Sequence, residues 1–256
     1  MAGQVSWRVR HVWGRNLHVF LRTWKVSFLP PIFDSLFFLI ALGYGLGQFV
    51  QQIGGVEYAR FVAPAIVAIG IMNASYYETT FGSFVRMYYQ KTFDALVATP
   101  VTIEEVIVGE ILWGATKAVI YTALVLPILA LFGVVSLPSS LLLLPLALLG
   151  GLLFAAIGLC FTAWTPSIDT LNYPSFLFIT PMMVLSGTFF PLESLPLPVQ
   201  YVAYAILPLA HVVSIARALT LPAVAPFALV SLIWMVVATA LIMLLAVRMM
   251  KKRLVV

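Results

Sequence analysis

The sequence predicts an all-α integral membrane protein with six transmembrane helices, and three observations lead to this fold class. Hydrophobic residues make up 62% of the 256 residues and charged residues only 9%, and the mean hydropathy is +1.07. Soluble domains carry roughly 25% charged residues, so a soluble core does not explain this balance. Apolar runs such as LLLLPLALLGGLLFAAIGL can cross a bilayer and lack the alternation of a membrane β-barrel.

Residues 1–27 are expected to hold an amphipathic helix, over 4–27, that lies in the membrane interface. Its apolar face consists of Trp13, Leu17, Phe20, Leu21 and Trp24, and its basic stripe of Arg8, Arg15 and Arg22. Tryptophan anchors with arginines on another face suit a helix at the headgroup level. The alternative is an ordinary basic flank before the first span. The segment lacks the apolar core of a signal peptide, so the spans themselves are expected to direct the chain to the membrane.

Six apolar stretches are predicted to span the membrane: 28–50, 61–84, 106–132, 141–164, 171–190 and 227–247. A polar link at 51–60 joins the first two, and a tight turn at Pro138 precedes the fourth. In the fourth span, Gly150, Gly151 and Gly158 permit close packing of helices. Asp34 is expected near the interface or against protein, because a carboxylate is costly in lipid.

The distribution of Lys and Arg orients the chain, because cytoplasmic loops carry an excess of these residues. Five lie in the N-terminal segment, Arg86 and Lys91 follow the second span, and four lie in the tail (Arg248, Lys251, Lys252, Arg253). The opposite side has only Arg60 and Arg217. Both termini, and the segment between the second and third spans, are therefore expected in the cytoplasm.

The segment 191–226 is apolar but is broken by six prolines (Pro191, Pro196, Pro198, Pro208, Pro222, Pro226). Within it, 199–221 is long enough for a seventh span, but a seventh span would move the basic tail to the outside and bury His211 and Arg217. We therefore predict one or two short re-entrant helices on the outer side, which lipid permits only where protein or water covers the broken backbone.

The sequence lacks the motifs of several chemistries. No stretch matches GxxxxGK[ST]; the nearest, Gly114 to Lys117, lacks the first glycine, so no ATP site or other cofactor site is expected in this chain. The histidines (His11, His18, His211) are far apart and lack partners at ligand spacing, so no metal site is predicted. No nucleophile elbow or paired-carboxylate site indicates a catalytic residue. The basic residues flank spans, which does not favour nucleic acid as a partner.

Charged residues inside spans are candidates for a translocation path. Glu78, Glu110 and Lys117 cost roughly 2.5–3.5 kcal/mol each at the membrane centre. Glu110 and Lys117 are seven residues apart and so share a helix face about two turns from each other. One interpretation is a cavity where a polar or charged cargo enters, with Tyr76 and Tyr77 as further candidates for the path. The other is interhelical pairing, snorkelling of the glutamates, and tyrosines that anchor the interface.

Several motifs resemble those of a known family. TPMMVLSGTFFPLESLP, from Thr180 to Pro196, resembles the signature of type-2 ABC exporter permeases. QKTFDALVATPVTIEEVIVGE, from Gln90 to Glu110, and YYETTFGSF, from Tyr76, are more narrowly similar to the nodulation protein J branch, which exports lipo-chitooligosaccharides. GYGLGQFV and LPLAHVVSIARAL fit the same branch, and the resemblance covers nearly the whole chain.

The resemblance implies a homodimeric permease with two separate ATP-binding subunits, which hold ATP and Mg. It places the ATPase contacts in a cytoplasmic coupling element at 86–99, with Arg86, Gln90, Lys91, Thr92, Phe93 and Asp94 as contacts. A solvated amphipathic loop is the alternative there. The broken segment would cap the exit, with Pro181, Ser186, Gly187 and Pro191 as an outer gate; a plain role in bending the backbone remains equally open.

The resulting expectation is the membrane subunit of an ATP-driven exporter that moves an amphiphilic glycan or lipid-linked oligosaccharide across the bacterial inner membrane. Membrane lipids are expected as further partners. Two alternatives stay open at this point. One is a drug or antibiotic exporter of the same family, and the other is a membrane-embedded enzyme or scaffold that works without an ATPase. Association with an ATP-binding subunit separates the last class from the first two.

Overall fold

The computed structural model describes residues 6–50, 52–221 and 227–254. Within these ranges the chain is almost entirely helical and has one two-stranded hairpin, which confirms the all-α membrane class. Five of the described helices are long and apolar enough to cross a membrane, and a bent pair raises the number to six when it is taken as one span. Residues 1–5 of the predicted N-terminal helix, and Pro222 and Pro226, lie outside the described ranges.

The predicted N-terminal helix continues into the first span. Helix α1 (Val9–Phe38) is followed by a π-helical segment (Leu39–Leu46) and by α2 (Gly47–Val50). The part that is apolar enough for a span begins at Ile32. A tight hairpin of β1 (Gln52–Ile53) and β2 (Val56–Glu57) replaces the predicted polar link, because the two glycines between its strands adopt the left-handed conformations that a two-residue turn requires.

The second helical stretch is the most buried part of the molecule. It consists of α3 (Tyr58–Tyr77) and two π-helical segments (Glu78–Gly82 and Val85–Tyr89), and it reaches five residues beyond the predicted end at 84. Lys91 then adopts a left-handed conformation (φ 53°), and the short helix α4 (Thr92–Val97) follows. The coupling element predicted at 86–99 therefore begins inside the second helical stretch.

Helix α5 (Ile103–Leu131) begins with a capping box in which Thr102 and Glu105 satisfy each other's backbone N–H groups. After α6 (Leu137–Ser140), helix α7 (Leu143–Trp164) packs closely on α3 and α5. A Cβ atom on Gly151 would lie 2.8 Å from Ala115 Cα, and one on Gly158 would lie 2.2 Å from Thr79 Oγ1. The close packing predicted for the glycines of this span is thus confirmed at Gly151 and Gly158.

The predicted fifth span is made of short segments. They are a 3₁₀ turn (Asp169–Leu171), α8 (Asn172–Pro174), a π-helical segment (Ser175–Ile179) and α9 (Thr180–Leu185). Together they form about 17 residues, the lower limit for a span. The stretch ends at Leu185, before the predicted end at 190, and Gly187 has a left-handed φ of 72° in the loop that follows.

Two short helices follow a 3₁₀ turn (Leu192–Ser194), as the prolines predict. Helices α10 (Leu197–Ile206) and α11 (Pro208–Thr220) meet at 91°, and the last helix is α12 (Ala228–Leu254). The break comes at Pro208, which opens α11 because a proline lacks the N–H of a helix interior. This geometry fits either a broken span or a re-entrant pair.

The molecule has two ends, which we name from their contents. The α4 end holds α4, the start of α5 and the last turn of α12, where Lys251 pairs with Glu104 at 2.5 Å. The hairpin end holds β1, β2 and the start of α3, where the Tyr58 hydroxyl donates to Phe189 O at 3.0 Å. Between them, α3, α5 and α7 form the core, and α12 lies at the periphery.

Candidate functional site

Five charged side chains form a continuous network at the α4 end. At its centre is Arg86, in the second π-helical segment after α3. Its Nη1 donates to Glu78 Oε1 at 2.7 Å, and its Nε and Nη2 donate to Glu110 Oε2 at 2.9 and 2.5 Å. One guanidinium thus joins a carboxylate on its own helical stretch to a carboxylate on α5. Hydrogen bonds between a guanidinium and a carboxylate are roughly twice as strong as those between neutral groups.

Glu110 is fully buried and is bonded on every side. Besides Arg86, it accepts from Ser83 Oγ at 2.7 Å and from Asn16 Nδ2 at 2.8 Å. Arg15 of α1 lies 3.8 Å from its Oε1. A buried carboxylate is tolerated only when charges and hydrogen bonds replace its hydration, and these contacts do so. They also hold the first part of α1 against α5.

Glu78 is the second carboxylate of the network. Its Oε1 also accepts from Trp113 Nε1 at 2.9 Å, and its Oε2 pairs with Lys117 Nζ at 2.6 Å. The charges therefore alternate along the network, from Arg15 through Glu110, Arg86 and Glu78 to Lys117. Glu110 and Lys117 share a helix face as predicted, but each pairs with a residue of the neighbouring helical stretch and not with the other.

The local backbone makes room for this network. Glu78 is the first residue of the π-helical segment Glu78–Gly82, and Arg86 lies in the segment Val85–Tyr89. Such segments inside α-helices occur frequently at functional sites. Between the two residues, a Cβ atom on Gly82 would lie 3.2 Å from Glu78 Oε1 and 3.3 Å from Arg86 Nη1. The lack of a side chain at Gly82 thus lets the ion pair lie close to the helix axis.

A large cavity of about 710 Å³ lies between α1, α3 and α5. Its walls are mostly apolar, with Phe33, Phe37, Phe38, Ile66 and Ile69. Its polar lining includes Asp34, Asn73 and Tyr77, and it reaches the network at Glu78 and Lys117. Of the predicted path residues, the structure brings Glu78, Lys117 and Tyr77 to this cavity. Glu110 is buried in the network, and Tyr76 is fully buried beside Ser175, so neither lines it.

A small cavity of about 370 Å³ lies on the other side of Glu78 and Lys117, towards the α4 end. Arg15, Asn16 and Arg86 line it together with apolar residues of α1 and the second helical stretch. Arg15, Asn16 and Trp113 were not singled out as site residues from the sequence. Arg15 was predicted to be part of a basic stripe, but it turns towards Glu110, whereas Arg22 is exposed.

The surface around α4 has a different character. Tyr88, Tyr89, Lys91, Asp94 and Val97 are exposed there, with Lys91 Nζ 4.0 Å from Asp94 Oδ2. Gln90 is also exposed, Thr92 is half-buried, and Phe93 is buried to 1% exposure in a cluster of this chain's own side chains. Arg86 and Phe93 are therefore not on the α4 surface. One is bonded in the network and the other is packed in the core, and their role as ATPase contacts stays a prediction.

The comparisons with known proteins bear on this combination of a charged network, two cavities and an exposed turn. The profile of the family described as ABC-2 type transporter matches residues 8–221, which include all of these features. This chain belongs to the ABC-2 transporter family. It is 38% identical to nodulation protein J of Rhizobium meliloti (strain 1021) over 216 residues, which are 84% of this chain and 82% of the relative.

Two further relatives show the range of the likeness. The chain is 37% identical to nodulation protein J of Rhizobium leguminosarum bv. viciae over 84% of this chain and 82% of the relative. It is 23% identical to the inner membrane transport permease YadH of Escherichia coli (strain K12), over 73% of each chain. These matches confirm the family and the branch that the sequence motifs indicated.

The hairpin end of this ABC-2 family member holds the residues predicted as an outer gate. Ser186 and Pro191 line a cavity of about 250 Å³, and Gly187 O accepts from Arg217 Nη2 at 2.6 Å. Pro181 is exposed at the start of α9 and does not reach this cavity. Arg217 itself is buried and lies over the Phe61 ring, 3.7 Å from its centroid.

Within the described ranges, no group of three His, Cys, Asp or Glu side chains is placed to hold a metal ion. His211 stacks on Trp234 with ring centroids 4.2 Å apart and is bonded to Ser231 and to Tyr204 O. These contacts tie α11 to α10 and α12, which is a packing role.

Proposed function

We propose that this chain is the permease subunit of an ATP-driven exporter that moves an amphiphilic glycan or lipid-linked oligosaccharide outwards across the bacterial inner membrane. The observation that carries the proposal is the large cavity. Its apolar walls suit an acyl chain, and its charged end at Glu78 and Lys117 suits a polar headgroup. The family membership supports transport as the function, and the lining of the cavity supports an amphiphilic cargo.

The energy in this proposal comes from a separate ATP-binding subunit that docks on the α4 surface. A partner can recognise the shape of the turn at Lys91, and the exposed charges of Lys91 and Asp94 fix its orientation. Two copies of this chain and two ATPase subunits complete the transporter, and ATP and Mg bind to the ATPases. This chain then contributes no catalytic residue of its own.

The network gives the docking surface a path to the cavity. Arg86 lies five residues before Lys91, near the end of the second helical stretch, and is bonded to Glu78, which lines the large cavity. A displacement of α4 by the ATPase is transmitted through Arg86 to Glu78 and, through Glu110, to α1 and α5. This chain of bonds supports a role for the α4 end in changing the shape of the large cavity.

The proposed orientation places both termini and the α4 end in the cytoplasm. Basic residues gather at this end, including Arg8, Lys91, Lys251 and Arg253, and Arg8 Nη1 donates to Pro100 O at 2.5 Å. The positive-inside rule assigns such an end to the cytoplasm. The hairpin end, with α10 and α11, then faces the outside.

The cargo is open to a second candidate, because a cavity of 710 Å³ has the size that drug-sized ligands occupy. A drug or antibiotic exporter of the same family therefore remains the alternative. The relatives named nodulation protein J support the glycan cargo by similarity. Mass spectrometry of lipids and glycans that co-purify with the intact complex separates the two candidates.

The docking role is tested by charge reversal on the α4 surface. In cells that express the chain with its candidate ATPase, Asp94→Lys and Lys91→Glu should each reduce the ATPase recovered with the tagged chain, while membrane insertion stays intact. Restoration by the double reversal would show that orientation of the charges matters. Arg60→Glu, which reverses a charge at the hairpin end, is the matched control. Unchanged recovery in both α4 variants would contradict the proposed docking surface.

A further inference from the structure

The two cavities meet at a single ion pair. Glu78, Gly82 and Lys117 line both the large cavity and the small cavity. Glu78 Oε2 and Lys117 Nζ are 2.6 Å apart, so a bonded ion pair lies where the two cavities adjoin. With side-chain exposures of 10% for Glu78 and 21% for Lys117, the pair keeps contact with open space although it lies among apolar walls.

The small cavity has an excess of positive charge. Three cations line it (Arg15, Arg86 and Lys117), whereas Glu78 is its only acidic lining residue among those the structure describes. Its other walls are apolar or neutral, with Val19, Phe20, Phe81 and Val85 among them. A cavity of this composition attracts an amphiphilic anion, in which a charged group is attached to an apolar chain.

Arg15 is the least satisfied cation of the network. Its Nη2 is bonded to Asn16 Oδ1 at 2.5 Å, but Glu110 is 3.8 Å away, and its buried Nε has no hydrogen-bond partner among the described residues. Burial lowers the pKa of the Arg15 guanidinium, with Glu110 acting in the opposite direction. A buried donor without a partner is costly, so an anion beside Arg15 would be stabilised.

We propose that the small cavity binds the anionic headgroup of an amphiphile, a phosphate, sulfate or carboxylate, and that Glu78 and Lys117 form a partition that this headgroup opens. The headgroup takes Lys117 from Glu78, and the apolar chain enters the large cavity through the opened partition. This inference rests on the proposed function for the identity of the cargo. The binding site itself is a property of this chain alone.

The exchange leaves a partner for each member of the pair. When Lys117 leaves, Glu78 still accepts from Arg86 and from Trp113 through Oε1. Lys117 has three donors and one carboxylate partner, so an incoming anion replaces a bond of the same kind. Neither charge is left unpaired, and thus the partition opens without leaving a bare charge in an apolar site.

Titration calorimetry with octyl phosphate tests the site on the purified full chain in discs of phosphatidylcholine. Binding should be at least about tenfold tighter than that of octanol, since charged hydrogen bonds are gained. Inorganic phosphate should bind at least about tenfold more weakly than octyl phosphate, because the chain adds apolar contacts. Octyl phosphate that binds no more tightly than octanol would overturn the proposal.

The variants should change the affinity in opposite directions. Arg15→Gln and Lys117→Met each remove a cation and should weaken octyl phosphate binding by about fivefold or more. Glu78→Gln removes the competing carboxylate and should tighten it by a similar factor. Arg22→Gln, an exposed arginine on the same helix, is the matched control and should have no effect. Where Lys117→Met fails to fold, Lys117→Arg should keep the affinity within about threefold of the parent.

Two outcomes of the variants would contradict the anion site. One is a Glu78→Gln protein that binds octyl phosphate more weakly or equally well, and the other is an Arg22→Gln effect as large as that of Arg15→Gln. Discs that contain phosphatidylglycerol distinguish the sources of the headgroup. If this lipid competes with octyl phosphate, the site binds membrane lipid; if it does not compete, the site binds cargo. If octyl phosphate fails to bind while the ATPase still co-purifies with the chain, the anion site is rejected and the proposed function as a permease subunit is kept.

Discussion

The two ends of the molecule hold a buried arginine in different ways. At the α4 end, Arg86 is bonded to two carboxylates, those of Glu78 and Glu110. At the hairpin end, Arg217 donates to backbone carbonyls of Gly187 and Thr188 and stacks on the Phe61 ring. Both guanidiniums join separate helical elements. Only the first is part of a network whose members can exchange partners.

This difference separates a part of the molecule that can change from a part that is fixed. The carbonyl groups that accept from Arg217 belong to Phe61 of α3 and to the loop of Gly187 and Thr188, so the arginine acts as a fixed link between α11, α3 and that loop. Around Arg86, each carboxylate has further donors on α1 or α5. We therefore expect the α4 end to respond to charge changes in function, and the hairpin end to respond mainly in stability.

The largest expected effect is at Glu110. Glu110→Ala leaves Arg86 with a single carboxylate partner and opens a gap beside Asn16, so the free energy of unfolding should fall by about 3–5 kcal/mol, as for other broken buried pairs. Thermal unfolding in phosphatidylcholine discs measures this. Glu110→Gln keeps the shape and should lose less. A loss at Glu110→Ala no larger than that of the exposed control Glu57→Ala would contradict the network.

A smaller loss is expected at Arg217. Arg217→Met keeps the apolar stem over Phe61 but removes the donors to Gly187 O, and should cost about 1–3 kcal/mol in the same unfolding measurement. Arg60→Met, at an exposed arginine of the same end, is the matched control. Substrate transport by the folded fraction should stay at the parent rate. A transport defect in that fraction would show that the hairpin end does more than fix the fold.

The coupling between partners should also differ between the two ends. A double-mutant cycle of Arg86→Met and Glu78→Gln should give an interaction energy of about 1–3 kcal/mol, because the two side chains share a bond of 2.7 Å. The equivalent cycle of Arg217→Met and Glu193→Gln should give less than about 1 kcal/mol, since the exposed Glu193 carboxylate acts on Arg217 without a direct bond. Equal interaction energies in the two cycles would show that the two arginines are held in the same way.

The smallest effect is expected at Gly82. Gly82→Ala gains helix propensity but brings a methyl group to 3.2 Å from Glu78 Oε1, so the net change in unfolding free energy should stay within about 1 kcal/mol. Gly187→Ala at the hairpin end should cost more, because its φ of 72° strains an alanine. Unfolding of the two variants under the same conditions checks this order.

Hydropathy and prolines predicted most of the architecture. The apolar runs form the long helices, because every side of such a helix faces either lipid or the protein interior. Pro208 causes the break between α10 and α11. The sequence predicts that the second span ends at 84, before Arg86, whereas the helical stretch continues to Tyr89. The Arg86 guanidinium finds two carboxylates, which a hydropathy argument does not see.

The pairing inside the site was the part that the sequence did not reveal. Residues seven apart on a helix are about 10 Å apart along its axis, which is too far for a direct bond. Glu110 and Lys117 therefore depend on partners from the adjacent helical stretch, and only the packing of that stretch on α5 shows which. Arg15 belonged to a regular basic stripe in the sequence, and nothing in that repeat distinguished it from Arg22.

The proposed partition of Glu78 and Lys117 separates the two cavities. In a Cys160→Ala background, Asn73→Cys places a thiol on the wall of the large cavity. Its rate of labelling in discs by an anionic methanethiosulfonate reagent should rise by about fivefold or more when Glu78→Gln is added, since a charged bond of the partition is lost. It should not change with Arg217→Lys. An unchanged rate with Glu78→Gln, or an equal rise with Arg217→Lys, would contradict the account.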